Sequence, residues 1–165
     1  MDCKAMATPM ASNLKLLSDA SSETVNATMY HQMICSLICL TNNRPDTCFA
    51  VNDLSQFLTD PRHAHLVAKH AVRYLKGTIE YGLKYDTNQK TNLHGYVDSD
   101  WEGSSIDRKI TLGCWFNMGS GVISWFSRKQ SCVVLNTAEA DYVTTCSTSC
   151  EAVWLRKLLS NLFDL

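Results

Sequence analysis

Two acidic groups in this 165-residue chain have the type and spacing for metal-assisted chemistry. The first is Asp98 with Asp100, in the run Gly95-Tyr96-Val97-Asp98-Ser99-Asp100-Trp101. The alternation before it reads as a β-strand, with Val97 on one face and Asp98 on the other. A carboxylate at a strand end suits Mg²⁺, which takes hard oxygen ligands and keeps several waters. Taken alone, an Asp-x-Asp is by default a pair of loop acids. The second group is Asn136-Thr137-Ala138-Glu139-Ala140-Asp141. Asn136 and Glu139 have the spacing of a capping box, so Glu139 has a sufficient structural role. Asp141 has none beyond a favourable place near a helix N-terminus. It is therefore the better candidate for chemistry, expected to face the strand that carries Asp98.

A third pattern is basic. Arg62, His65, Lys69, Arg73 and Lys76 recur at helical spacing and could lie along a phosphate backbone. By itself such a stripe is more often a solvated helix face. The whole-chain charge offers no support for nucleic-acid binding: 15 Lys plus Arg against 16 Asp plus Glu leaves a formal net charge of -1. Eight cysteines are present, with Cys35/Cys39 and Cys146/Cys150 each four apart on predicted helices. Reduced thiols in core positions are the expectation for both pairs, and zinc the lesser one.

The elements that must position these residues follow from period and breakers. The composition, 45% hydrophobic and 19% charged, is that of a globular chain. Residues 1–28 show no sustained period and read as a leader or linker. Asn26-Ala27-Thr28 matches a glycosylation sequon, which matters only in a secreted protein. Residues 29–41 read as a helix with Met33, Leu37 and Leu40 on its apolar side. Pro45 separates it from a second helix over Asp46–Leu58, and a third runs from Asp60-Pro61 to Lys76, ended by Gly77. The third helix carries Val67, Ala71, Tyr74 and Leu75 opposite its basic residues. Strands are expected at Leu93–Asp98, Cys114–Met118 and Val122–Phe126, the last two joined by a Gly119-Ser120 turn, with a further strand at Ile79–Tyr85. A long helix from Ala138 to Phe163 follows, with Tyr142, Cys146, Cys150, Val153, Leu158 and Leu162 near one face. The expected fold is α+β: a helical module over 29–77, then three antiparallel strands and one long helix over 78–165.

Seven segments, in order, carry a resemblance. They are YHQMICSLICLTNNRPDTCFAV, AVRYLKGTIEYGL, GYVDSDWEG, DRK, GSGVISWFSRKQ, TAEADYV and EAVWLRKLL. Together they resemble copia-type retrotransposon Pol polyproteins, at the end of reverse transcriptase and the first half of ribonuclease H. The resemblance implies a ribonuclease H-like fold in the second half. It also implies hydrolysis of RNA in RNA–DNA hybrids by carboxylate-held Mg²⁺ ions, one activating water and one stabilising the leaving oxygen. Asp98 matches the family's first catalytic acid, and Asp141 falls where the family has Glu. Arg62, Lys69, Arg73 and Lys76 become candidate contacts to the hybrid's backbone.

Departures from the family pattern point away from catalysis. Asp141 is one methylene shorter than Glu, and metal ligands tolerate little misplacement. Cys35 stands where Gly is usual, Ile110 and Leu112 where Ser is usual, and Asn136 for Ser. The family's remaining acids lie past Leu165, so Asp98 and Asp141 are expected to hold Mg²⁺ weakly and the chain to be inactive alone. The Leu93–Asp98 strand should then be an open edge that a protein partner covers. The alternative reading is a repurposed interaction protein such as a secreted RxLR-type effector, with Arg73-Tyr74-Leu75-Lys76 as the nearest motif. No membrane partner is expected, and no signal peptide is visible. A cytoplasmic or nuclear place follows from the first reading, secretion into host cells from the second.

Overall fold

The computed structural model describes residues 3–11, 25–61, 64–88, 92–100, 111–130, 134 and 136–163. It is an α+β chain that divides into two compact units, Met1–Gly82 and Leu83–Leu165. None of its helices is long and apolar enough to cross a membrane, among the described residues.

The first unit is helical. Helix α1 spans Ala27–Thr41, and Asn26 starts it by accepting the Met29 N–H at 3.1 Å. The sequon asparagine is thus a helix cap. The buried side of α1 is Tyr30, Ile34 and Leu37. Of the expected apolar side, Leu37 belongs to it, Met33 flanks it and Leu40 is exposed. A 3-10 turn at Pro45–Thr47 precedes helix α2, Cys48–Ser55. The single helix expected over Asp46–Leu58 is therefore two shorter pieces, because Thr47 Oγ1 bonds back to the Arg44 carbonyl at 2.8 Å and tightens the entry. Helix α3 spans Ala64–Gly77. Val67, Ala68, Ala71 and Tyr74 are its buried residues, three of them with the core of Tyr30, Ile34, Leu37, Val51 and Leu54.

Arg44 is buried in this unit, as are Thr47 and Thr78, and its guanidinium makes four hydrogen bonds. Arg44 donates to both carboxylate oxygens of Asp46, at 3.0 and 2.8 Å, and to the Thr78 carbonyl and hydroxyl, at 2.9 and 2.7 Å. Tyr74 donates to the same carboxylate at 2.7 Å. Burial raises the Asp46 pKa, but the hydrogen bonds from Arg44 and Tyr74 outweigh it and leave the carboxyl below its usual value.

The second unit is a three-stranded antiparallel sheet in the order β1-β2-β3, crossed by one helix. The strands are β1 Leu93–Asp100, β2 Thr111–Met118 and β3 Gly121–Lys129, and helix α4 spans Thr137–Phe163. Gly119 makes the β2–β3 turn with φ 61°, a conformation that suits glycine. The segment Ile79–Tyr85 is not a strand. It is held by single bonds instead: Tyr81 N–H to the Thr78 carbonyl at 3.0 Å, and Tyr85 Oη to the Val122 carbonyl at 2.7 Å.

Helix α4 packs on the sheet by another face than the one expected. Ala140, Thr144 and Leu155 are buried, whereas Tyr142 is 77% exposed and Cys146, Cys150, Val153, Leu158 and Leu162 are also exposed. The buried side is small and hydroxylated, so hydrophobicity did not mark it. Thr148 satisfies its hydroxyl on the Thr144 carbonyl at 2.9 Å, and Gln130 at the end of β3 reaches Thr144 at 3.5 Å. Leu155 joins Cys114 and Phe116 in the core. Gly95 lets the Phe116 ring lie against β1, since a Cβ there would fall 2.6 Å from the ring.

Two changes test the Arg44 group. Arg44→Ala should destabilise the chain by roughly 2 kcal/mol in urea unfolding, short of a fully buried pair because Asp46 is 36% exposed. The depressed Asp46 pKa stabilises the fold above its unfolded value near pH ~3.9, and this is lost as pH falls through the lower folded value. Asp46→Asn should remove that part of the acid dependence in unfolding curves taken between about pH 5 and pH 2.

Candidate functional site

The strand register decides where the two candidate carboxylates point. β1 pairs with β2 so that Val97 lies opposite Cys114 and Asp98 opposite Gly113, with Tyr96 opposite Trp115. Residues opposite each other share a face, and neighbours along a strand alternate. Cys114 and Phe116 pack under Leu155 of α4, so Leu93, Gly95 and Val97 belong to the helix-covered face. Asp98 therefore belongs to the other face, with Tyr96 and Trp115, whose rings stack at 5.3 Å. Asp141 is exposed on α4. The expectation that Asp141 faces Asp98 is not met: the helix and the Asp98 side chain lie on opposite sides of the sheet. Among the described residues, no three His, Cys, Asp or Glu side chains are grouped to hold a metal.

Asn136 does cap α4, accepting the Glu139 N–H at 2.9 Å. The local expectation for this helix start is met. The global one for Asp141 fails because helix placement depends on which face of the sheet the helix covers.

The basic residues of α3 are placed differently from a free stripe. Arg62 and the His65 side chain lie outside the described residues. Lys69 is exposed. Arg73 Nε donates to the Lys4 carbonyl at 2.7 Å, and Lys76 Nζ to the Cys3 carbonyl at 3.4 Å. His70 Nε2 bonds the Thr8 carbonyl at 2.9 Å, and the Met6 N–H reaches the Arg73 carbonyl at 3.5 Å. Met10 packs on the helical core and Ala5 lies against Gly77. Within the 1–28 segment expected as a leader or linker, residues 3–10 thus form a strap along α3, and residues 12–24 lie outside the described residues. Three of these four bonds run from α3 side chains to main-chain carbonyls, which side-chain periodicity does not record.

The cysteines also depart from expectation. Cys114 is buried, but Cys35, Cys39, Cys146 and Cys150 are exposed, and Cys3 and Cys48 half-buried. His31, one turn before Cys35, brings Nδ1 within 3.6 Å of its Sγ. That neighbour was legible from the four-residue spacing.

Comparison with known proteins gives the ancestry. The chain is 39% identical over 160 residues to the Retrovirus-related Pol polyprotein from transposon RE1 of Arabidopsis thaliana, covering 96% of this chain and 11% of that protein. It is 35% identical over 169 residues to the corresponding polyprotein from transposon TNT 1-94 of Nicotiana tabacum, covering 98% of this chain and 13% of that one. The chain belongs to the copia-type retrotransposon Pol family. It is retrotransposon-derived, and it spans about a tenth of the length of these Pol relatives. A further relative is the Secreted RxLR effector protein 161 of Plasmopara viticola, 42% identical over 113 residues, 68% of this chain and 80% of that protein. No family model and no solved structure matches the chain.

The strap is open to a direct test. Arg73→Ala removes one charge-assisted bond worth about 1 kcal/mol and should speed amide exchange across residues 3–8 well before global unfolding. Unchanged exchange in that segment would show that the strap does not depend on Arg73.

Proposed function

We propose that this Pol-derived chain corresponds to the end of reverse transcriptase joined to the first half of a ribonuclease H-like domain, and that it does not cleave RNA by itself. The ancestral activity is hydrolysis of RNA in RNA–DNA hybrids. The observation that carries the reading is the order β1-β2-β3-α4 with Asp98 on β1 and Asp141 in the first turns of α4, combined with their placement on opposite sides of the sheet. The order supports the ancestry; the placement supports the loss of activity.

Mg²⁺ is the cofactor this ancestry implies. Asp98 and Asp141 are of the right donor type, but the pair does not fit a shared ion, because the sheet separates them. No catalytic step through the metal follows for this chain. What its own residues offer is hybrid contact: Lys69 exposed on α3, with Arg73 and Lys76 engaged by the strap. Phosphate contacts of this kind position a duplex without reading its sequence.

The purified chain should leave a labelled RNA–DNA hybrid uncut in Mg²⁺. Cleavage that disappears with Asp98→Asn would overturn the inactive reading. Any hybrid binding should weaken with salt, and Lys69→Ala should lower the salt slope by about one.

The coverage of the RxLR-named relative favours a second reading, that of a secreted interaction protein. Its nearest motif is a poor signal here: in Arg73-Tyr74-Leu75-Lys76, Tyr74 is 6% exposed and bonded to Asp46, and Arg73 holds the strap. Expression of the tagged full-length gene product in its source cells separates the two readings. Tag recovered outside the cells would support the second; strict retention would remove it.

A further inference from the structure

The strap along α3 holds cations without neutralising them. Residues 3–10 read CKAMATPM and contain no Asp or Glu. What they offer Arg73 and Lys76 is main-chain carbonyl, from Lys4 at 2.7 Å and Cys3 at 3.4 Å. The segment is neither helix nor strand, and single bonds hold it elsewhere too: His70 to the Thr8 carbonyl at 2.9 Å and the Met6 N–H to the Arg73 carbonyl at 3.5 Å. Two of these four are long for hydrogen bonds, at Cys3 and Met6, while Met10 is anchored on the helical core. Opening therefore starts at residues 3–6, the stretch that engages Arg73 and Lys76. That stretch meets α3 where the helix has no side chain: a Cβ on Gly77 would fall 2.7 Å from the Ala5 Cβ.

We propose that residues 3–10 are a displaceable cover: the phosphate backbone of a nucleic-acid duplex takes Arg73 and Lys76 from the strap, which lifts off α3 at residues 3–6, a control that rests on the hybrid contact proposed above. Lys69, Arg73 and Lys76 are four and three residues apart on one helix face, and they span about 10 Å of axis. That length matches about three phosphates of one strand, at about 3.4 Å of axis each. A phosphate brings the negative charge that a carbonyl lacks, and a guanidinium can bind it with two parallel bonds. Because the strap brings no acid, both side chains still attract a polyanion from about a Debye length away. The strap's advantage is its tether, which holds its carbonyls at an effectively high concentration beside α3. Apparent affinity for the duplex is then the intrinsic affinity scaled by the fraction of chains with the cover open.

Gly77→Ala opens the cover without touching a cation. The Ala5 Cβ cannot swing aside, so the strap's main chain must move off α3. Gly77 is not among the glycines with positive φ, so the helix end accepts alanine. Ala5→Gly in the same chain removes the opposing methyl and lets the strap return. Binding is read on the full chain by anisotropy of a labelled RNA–DNA hybrid at low salt. Strap release is read as the alkylation rate of Cys3, which is half-buried. Hybrid should speed Cys3 alkylation in the unaltered chain. Gly77→Ala should speed it without hybrid and tighten binding about tenfold. The double variant Ala5→Gly with Gly77→Ala should return both to their starting values, and circular dichroism on each variant shows that the fold is retained. A hybrid that binds without exposing Cys3, or a Gly77→Ala chain that binds no tighter, overturns the cover and leaves hybrid contact through Lys69 standing. So does a gain that the double variant keeps. Absence of binding by the unaltered chain and Gly77→Ala alike overturns both the cover and the hybrid contact.

Discussion

A single guanidinium organises the helical unit. Arg44 sits just after α1, and its four hydrogen bonds reach Asp46 in the 3-10 turn and Thr78 just past the end of α3. Its charge also lies 5.7 Å from the centre of the Tyr74 ring and 5.8 Å from that of Tyr81. A buried cation is costly unless every donor is used. Satisfying it requires the end of α1, the 3-10 turn and the end of α3 to meet at one place. The apolar contacts of Tyr30, Ile34, Leu54 and Ala71 supply most of the burial, but they are less directional. Tyr30 adds a second fixed point, donating to the Leu54 carbonyl at 2.7 Å, and burial beside Asp53 holds its phenol well above the usual range.

In the sheet unit the governing constraint is the two-residue alternation of β1 and β2. Once Cys114 and Phe116 take the helix side, every odd-numbered residue of β1 from Leu93 to Val97 goes with them and Asp98 is sent to the other face. The carboxylate chemistry that the sequence invites is thereby divided between the two sides of the sheet. The same alternation puts His94, Tyr96 and Asp98 together on the face away from α4.

The strap shows a second competition for the same groups. Arg73 and Lys76 could meet phosphate, yet main-chain carbonyls of Lys4 and Cys3 hold them. A carbonyl is a weaker partner for a cation than a phosphate, but a tethered one costs little entropy to recruit. Any phosphate that reached these two side chains would have to displace the strap, whereas Lys69 makes no such demand.

The sequence by itself determined the α+β class, the three strands and their turn, the cap at Asn136, and the copia-type ancestry. These depend on local chemistry: a breaker, a period, a cap, or motifs in order. Only the tertiary structure decided which side of α4 is buried, where Asp98 points relative to Asp141, and what Arg73 and Lys76 bind. Helix α4 misled because, Leu155 apart, its packed side is the small residues Ala140, Thr144 and Thr148, while Tyr142, Val153, Leu158 and Leu162 are exposed. The strand at Ile79–Tyr85 misled because a β pattern needs a neighbour, and Tyr85 spends its hydroxyl on Val122 without building a ladder. Each of these outcomes turns on pairing between residues far apart in the chain, which no local window contains.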